Sequence, residues 1–277
     1  MKTNDEGVQD MLSLDDLGIV QGTDKSSVCH GYLKHYERLF SPWQHAPITL
    51  VEIGVFDGAS LRTWRQFFSR ARIVGLDIDR TCLKHATDGI EVVIGSQTDA
   101  AFLDEVARWT RPNILIDDGS HQADHIMFTF EHLFRHLAPG GCYVIEDLDA
   151  HVGPNASYWR GTAECPPTDH FARLFGEVAT RQRPDIDRIE ALPSAVAIWK
   201  AARTDLDAVE AHAAKLLESD AATAESFYRQ ALFLRNRGKL AEAETAVERA
   251  IAMDPTRPWY HQAREDILAR AQQRAAE

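Results

Sequence analysis

Two short acidic motifs carry the side chains that are best suited to chemistry in this chain. Each motif extends an apolar run: IDDGSH lies near the middle of the chain and IEDLD lies further on. Their ionisable residues are Asp117, Asp118, His121, Glu146, Asp147 and Asp149. A hard divalent cation such as magnesium binds carboxylate oxygens and would balance this charge. The motifs therefore predict a metal site, although any one of these acids can instead cap a helix or pair with an arginine.

The elements that must position these acids are the strands of a predicted sheet. Five apolar, β-rich runs alternate with longer amphipathic stretches, which predicts an α/β fold with a doubly wound, mostly parallel sheet. The predicted strands are Ile48–Gly54, Arg72–Ile78, Glu91–Gly95, Asn113–Gly119 and Gly141–Asp147. Two further strands, around the Pro-Ser turn in residues 188–201, are expected to form an antiparallel edge. Ligands of such sheets bind beyond the carboxyl ends of the strands, so the acids should converge on one crevice.

The first three strand ends have the features of a nucleoside-binding site. The first strand runs into GVFDGAS, where glycines let the backbone approach a ligand closely. Such a turn alone is a weak signal, but the second strand ends in an acid that can bind both ribose hydroxyls, and the third ends in polar residues. The residues predicted to bind the cofactor here are Glu52, Gly54, Gly58, Ser60, Asp77, Ser96 and Gln97.

S-adenosylmethionine fits this turn better than a nicotinamide cofactor does. The dinucleotide fingerprint is G-x-G-x-x-G, with a helix N-terminus left free for the pyrophosphate, and GVFDGAS does not match it. Asp57 within the turn would repel a pyrophosphate, whereas it can attract the amino group of the methionine part of S-adenosylmethionine. The turn therefore favours the methyl donor.

Composition argues against several classes of partner. The formal net charge of −12 repels phosphate backbones and anionic lipid surfaces, so we expect neither nucleic acid nor a membrane as a partner.

The first residues lack the basic start and apolar middle of a secretory signal, and no apolar run approaches the roughly 20 residues that span a bilayer. We therefore expect a cytoplasmic location. The four cysteines are widely spaced without a CxxC pair, which predicts reduced thiols.

A change in composition divides the chain into two predicted domains. Residues 1–204 form the α/β domain, and residues 205–277 form a helical module rich in Ala, Glu and Arg. In that module, Gly238, Ala243, Ala250 and Pro255 have spacings that resemble a tetratricopeptide repeat, although a plain helical hairpin explains them equally well. Because such arrays usually need about three repeats to stand alone, we expect the unit to pack on the α/β domain or to link the subunits of a homo-oligomer.

Several motifs between residues 22 and 148 together resemble a known enzyme family. They are GTDKSSVCHGYLKHYERLF, VEIGVFDGASLRTWRQFF, GLDID, IDDGSH and PGGCYVIEDL. They are similar to the metal-dependent sugar O-methyltransferases of macrolide biosynthesis and to related rhamnosyl O-methyltransferases. The resemblance implies a class I, Rossmann-like methyltransferase fold. It also implies methylation by S-adenosylmethionine, with Mg²⁺, of a hydroxyl on a sugar or glycosylated natural product.

The resemblance also implies roles for individual residues. Asp118 and Asp147 would be metal ligands, and Glu37 in HYERLF is the expected third ligand. His121 would act as general base beside Asp118, and Asp77 would bind the ribose. The residues that join the predicted cofactor-binding set are Thr23, Lys25 and Asp117.

The expected chemistry is an in-line displacement at the sulfonium carbon of the methyl donor. The enzyme must hold an oxygen nucleophile within about 3 to 3.5 Å of that carbon. A divalent metal favours the alkoxide, and His121 can take the proton of the hydroxyl; the alternative is that His121 is a structural loop histidine. Tyr158 and Trp159, in a turn-rich segment, are candidate surfaces for sugar stacking and could equally belong to the core.

Two departures from the family leave the acceptor open. We expect no large N-terminal auxiliary domain of the kind that the macrolide enzymes have, and we expect the helical tail in addition. One alternative function is a non-haem iron hydroxylase, because two acids and a histidine also resemble a facial triad. Another is an interaction protein whose helical tail recruits a partner and whose methyltransferase fold is inert.

Overall fold

A seven-stranded sheet forms the centre of the first of two compact units, Met1–Arg203 and Thr204–Glu277. The computed structural model describes residues 12–87, 89–202, 211, 214–215, 217–218 and 222–276. The strands are β1 (Thr49–Ile53), β2 (Arg72–Asp77), β3 (Ile90–Ile94), β4 (Ile114–Asp117), β5 (Cys142–Ile145), β6 (Ile186–Leu192) and β7 (Ala195–Lys200). Their order is β3-β2-β1-β4-β5-β7-β6, and β7 is antiparallel to both of its neighbours. The predicted doubly wound fold and its antiparallel edge are confirmed.

Helices cover both faces of the sheet, which explains why the central strands are apolar throughout. Every residue of β4 and β5 is buried. The helices of this unit are α1 (Leu14–Gln21), α2 (Tyr32–Phe40), α3 (Ala59–Phe67), α4 (Ala100–Thr110), α5 (Ala123–Leu133), α6 (Ala156–Trp159) and α7 (Pro167–Ala179). Short 3-10 helices span Ser41–Trp43, Arg80–His85, Phe134–His136 and Leu148–His151. Side chains of α1, α2 and α3 pack on one face, and those of α4, α5 and α7 pack on the other.

The register of the strands brings the predicted site residues to one level. Asp117 at the end of β4 pairs with Ile53 at the end of β1 and with Ile145 at the end of β5. Gly54 and Asp118 therefore leave the sheet side by side, at the switch point where ligands of such folds bind. A Cβ atom on Gly54 would lie 2.0 Å from the carbonyl oxygen of Asp118, so a larger residue would push the two loops apart.

The second unit is helical in its described part. Its helices are α8 (Ala224–Asn236), α9 (Leu240–Met253) and α10 (Pro258–Ala276). Ala243 and Ala250 on α9 are fully buried against the neighbouring helices, where small residues allow close packing. Gly238 makes the turn between α8 and α9 with a φ of 73°. The helical prediction for residues 205–222 lies largely outside the described residues, and the tetratricopeptide assignment stays a prediction.

The structure also describes the state of the cysteines and the length and character of the helices. Cys29, Cys82, Cys142 and Cys165 are all free thiols, as predicted. Burial raises the pKa of the Cys82 thiol to about 11, which disfavours its reactive thiolate. None of the helices in the described ranges combines the length and the apolar character that crossing a membrane requires.

Candidate active site

A cavity of about 480 Å³ opens where β1, β2, β4 and β5 end. The predicted residues that line it are Thr23, Lys25, Gly54, Ser60, Asp77, Asp118, His121 and Asp147. A smaller cavity of about 200 Å³ shares Gly54 and Asp77 with it and adds Ser96 and Gln97. The structure therefore gathers most of the residues predicted from the strand ends into two adjoining cavities.

Asp118, His121 and Asp147 form a cluster with the chemistry of a metal site. One potential ligand atom from each of the three lies within 4.8 Å of the others. The Nε2 atom of His121 is 3.5 Å from Oδ2 of Asp147, and the Tyr32 hydroxyl donates to Oδ1 of Asp147 at 2.7 Å. Two carboxylates and an imidazole fit a divalent cation, because the carboxylates are hard donors and the cluster carries surplus negative charge.

Two residues of this cluster have a left-handed backbone. The φ angles are 57° at His121 and 58° at Asp147. Conformations of this kind cost about 1–3 kcal/mol each and persist only where the surrounding structure holds them. The Tyr32 hydroxyl contributes here, since it also accepts a hydrogen bond from the backbone N–H of Asp147 at 3.3 Å. The fold thus holds both side chains in fixed positions at the expense of local strain.

Glu37, the predicted third metal ligand, does not join the cluster. It lies on α2, and its backbone carbonyl accepts a hydrogen bond from the Ser41 hydroxyl. Tyr32 and Tyr36, which are one helical turn apart on α2, face the acids instead, and the Tyr36 hydroxyl donates to Oε1 of Glu146 at 2.7 Å. His121, rather than Glu37, is the third side chain that meets the two aspartates.

A buried lysine lies beneath the cluster among three carboxylates. The ammonium group of Lys25 bonds to Asp118 and Glu146, and it lies 3.5 Å from Oε1 of Glu52. Burial alone would lower the pKa of Lys25, but these three acids together raise it well above its usual value. Burial raises the pKa of Glu52 to about 7, although Lys25 opposes the shift. Three acids thus share the single positive charge of Lys25.

Asp77 stands between the two cavities with its carboxylate fixed by the backbone. Its Oδ2 accepts from the N–H groups of Val55 and Phe56 at 2.8 and 3.3 Å, and its Oδ1 accepts from Asp79 at 2.8 Å. Burial opposes ionisation, but these hydrogen bonds outweigh it and lower the pKa of Asp77. Asp77 is therefore ionised, and its carboxylate is held in place where the two cavities meet.

The remaining predicted residues lie behind the cavities rather than on their walls. Glu52 is fully buried and accepts from the Ser60 hydroxyl at 2.8 Å. Gly58 begins α3 with a φ of 73°, and a Cβ atom there would lie 2.7 Å from the ring of His85. Asp117 accepts from Nε2 of Gln97 at 3.3 Å, and burial raises its pKa to about 7. In this structure these residues shape and support the loops.

Sequence analysis assigned no individual role to Tyr32, Tyr36 or Glu146, although Glu146 belongs to one of the acidic motifs. The available signal for the tyrosines was their i, i+4 spacing in HGYLKHYERLF. Of the two aromatic residues considered for sugar stacking, Trp159 makes an edge contact with His121, with ring centroids 5.9 Å apart. Tyr158 is exposed. Trp159 therefore lies at the mouth of the candidate site.

Comparison with known proteins agrees with this geometry. Residues 51–148 match a family model described as "Methyltransferase domain". Over 155 residues, 53% of this chain and 38% of the relative, the chain is 39% identical to the mycinamicin VI 2''-O-methyltransferase of Micromonospora griseorubida. Over 160 residues, 54% of this chain and 40% of the relative, it is 38% identical to an 8-demethyl-8-alpha-L-rhamnosyl tetracenomycin-C 2'-O-methyltransferase of Streptomyces olivaceus.

The chain thus matches less than half the length of these two curated relatives. A solved structure of the MycE methyltransferase from the mycinamycin biosynthetic pathway, in complex with Mg, SAH and mycinamycin VI, has a TM-score of 0.63 at 29% identity. That match covers 71% of this chain and 56% of MycE. The resemblance to sugar O-methyltransferases and the class I, Rossmann-like fold are therefore confirmed.

Proposed function

We propose that the methyltransferase domain transfers a methyl group from S-adenosylmethionine to a hydroxyl of a sugar or glycosylated natural product, with the assistance of a divalent metal such as Mg²⁺. The observation that carries this proposal is the shared cavity. It has Asp77 on one side and the cluster of Asp118, His121 and Asp147 on the other. The names of the relatives, which denote sugar O-methyltransferases, support the same acceptor class.

The two cavities would divide the cofactor between them. The smaller cavity combines apolar Ile78 and Phe102 with polar Ser96 and Gln97, which suits a flat adenine ring with a polar edge. Asp77, at the junction, would accept hydrogen bonds from both ribose hydroxyls. The larger cavity is lined by acids and would attract the amino group of the methionine part of the cofactor.

The acidic cluster would hold the acceptor. Asp118 and Asp147 would bind Mg²⁺, with His121 within reach of the same position. When bound, the metal would lower the pKa of an acceptor hydroxyl and orient adjacent hydroxyls. His121 would remove the hydroxyl proton, and Asp147, 3.5 Å from its Nε2 atom, would stabilise the imidazolium that forms.

The other parts of the proposal concern organisation. We assign the chemistry to residues 1–204, and assembly, as a homo-oligomer, to the tetratricopeptide-like helices of residues 205–277. We keep the cytoplasm as the expected location and a small hydroxylated acceptor, rather than nucleic acid or a membrane, as the expected partner. The relatives reported above are named as methyltransferases, so neither the iron hydroxylase nor the inert interaction protein gains support.

The decisive experiment measures release of S-adenosylhomocysteine across a panel of sugars and glycosides, with and without chelator. We expect chelator, Asp118→Asn and Asp147→Asn each to abolish turnover while calorimetry still detects cofactor binding. His121→Ala should lower kcat by about 100- to 10,000-fold, with partial recovery as pH rises.

The matched control is Asp149→Asn. Asp149 lies in the same segment but bonds to the Ser194 hydroxyl outside the cluster, so turnover should persist. Full activity in chelator would contradict the metal assignment. A folded protein that gives no binding heat with S-adenosylmethionine would contradict the whole proposal.

A further inference from the structure

A mostly apolar cavity of about 520 Å³ begins one residue beyond the acidic cluster. Its walls come from the 3-10 helix that starts at Leu148, from α7, and from the β6–β7 hairpin. Ten of the thirteen residues that line this apolar cavity are apolar, and its volume lies within the usual range of about 300–1,000 Å³ for small-molecule sites. Of the acids in the two motifs, only Asp149 lines it.

The apolar cavity lies at the same edge of the sheet as the candidate active site. The end of β5 pairs with the start of β7 through Ile145 and Val196, and β7 runs antiparallel to β5. The backbone N–H of Leu148 donates to the carbonyl oxygen of Ser194, at the hairpin turn, at 2.8 Å. Since Leu148 directly follows Asp147, and consecutive Cα atoms are about 3.8 Å apart, the wall of the apolar cavity and the cluster meet at one peptide bond.

The walls of the apolar cavity leave large apolar side chains in solvent. On α7, lining residues occur at positions i, i+3, i+4 and i+7, which form one stripe, and the stripe ends at Phe175. Phe175 is 61% exposed, and Val152, which also lines the cavity, is 62% exposed. Exposed apolar groups that line a concave surface of this size indicate a ligand. The polar groups at its rim, Asp149 and Ser194, already bond to each other.

We infer that this apolar cavity binds an uncharged, apolar aglycone of the acceptor, while the hydroxyls of the attached sugar lie at the acidic cluster. The inference rests on the proposed function. A sugar held at Asp147 would lie beside Leu148, where the lining changes from acidic to apolar. The lining contains no cationic side chain that would pair with an anionic substituent.

The test uses a series of alkyl α-L-rhamnosides from methyl to octyl, in the presence of Mg²⁺. Turnover is measured as S-adenosylhomocysteine release, and binding is measured by calorimetry with S-adenosylhomocysteine present. Each buried methylene contributes about 0.8 kcal/mol, so KM and Kd should fall about fourfold per methylene until the chain fills the cavity.

Two matched variants locate the effect. Ala172→Trp fills the apolar cavity from an exposed position on α7, and should abolish the chain-length dependence while leaving the KM for methyl rhamnoside unchanged. Ala179→Trp is the control, because Ala179 is exposed on the same helix and does not line the apolar cavity. A smaller change, Phe175→Ser, should weaken the dependence without filling the cavity.

The outcomes separate this inference from the proposed function. If rhamnosides are methylated with the same chain-length dependence in Ala172→Trp as in the wild type, the inference is wrong and the proposed function stands. The inference also fails if Ala172→Trp changes only the oligomeric state, since a second copy of the chain would then cover this face. Should no glycoside be methylated, the calorimetric series still decides whether the apolar cavity binds the alkyl chain.

Discussion

Replacing Lys25 with methionine tests the charge balance beneath the active site. The change keeps the apolar stem but removes the cation shared by Asp118, Glu146 and Glu52. Removing one partner of a buried ion pair typically costs about 3–5 kcal/mol, because the other charge is left uncompensated. At about 2–4 °C per kcal/mol for a unit of this size, Lys25→Met should lower Tm by roughly 6–20 °C at pH 8.

The cost should shrink at lower pH. The pKa of Glu52 is about 7 even beside Lys25, and loss of the cation raises it further, so this acid becomes neutral by pH 6 and needs less compensation. The assay is urea unfolding of the full chain at pH 6 and pH 8, in chelator, followed by tryptophan fluorescence and circular dichroism.

Two further variants complete this test. Lys34→Met makes the same change at an exposed position, 4.0 Å from Asp15, and should stay within about 0.5 kcal/mol of the wild type. Adding Glu146→Gln to Lys25→Met should recover part of the loss, because one uncompensated acid is removed. A cost of Lys25→Met below about 1 kcal/mol at pH 8, or an equal cost at both pH values, would refute the charge argument.

Three other variants test individual features of the site. Burial raises the pKa of Asp117 to about 7, so the folded state binds the proton of this carboxyl group more tightly than the unfolded state does. Proton binding therefore stabilises the folded state fully below pH 4, and this stabilisation is lost as the pH rises through 7. As the pH rises from 4 to 8, the free energy of unfolding of Asp117→Asn, measured by chemical denaturation, should increase relative to that of the wild type by up to about 4 kcal/mol. If the two proteins give parallel plots of unfolding free energy against pH, the raised pKa of Asp117 is contradicted. His121→Gly should be about 0.5–1 kcal/mol more stable than His121→Ala, since its φ of 57° suits glycine; equal stabilities would show that the loop relaxes. Asp77→Ala should weaken S-adenosylhomocysteine binding at least tenfold in calorimetry, and Asp149→Ala should not; equal effects would remove Asp77 from the ribose site.

The sequence by itself determined the sheet and the strand ends. Apolar runs bounded by turn residues are local patterns, so the boundaries of the five parallel strands and of the antiparallel edge could be predicted to within two residues. The meeting of Asp118 and Asp147 followed from the same pattern, because parallel strands deliver their carboxyl ends to one edge. Asp77 was found in this way as well.

Only the tertiary structure decided which side chains complete the site. Glu37 and Tyr36 are neighbours on α2, yet Tyr36 faces the acids, because the direction of a helical side chain depends on how the helix packs against the sheet. The ammonium group of Lys25 points into a buried cluster of acids. This arrangement depends on contacts between residues more than ninety positions apart in the chain. The apolar cavity likewise exists only where α7 meets the β6–β7 hairpin. Such long-range packing leaves no local periodicity in the sequence from which it can be predicted.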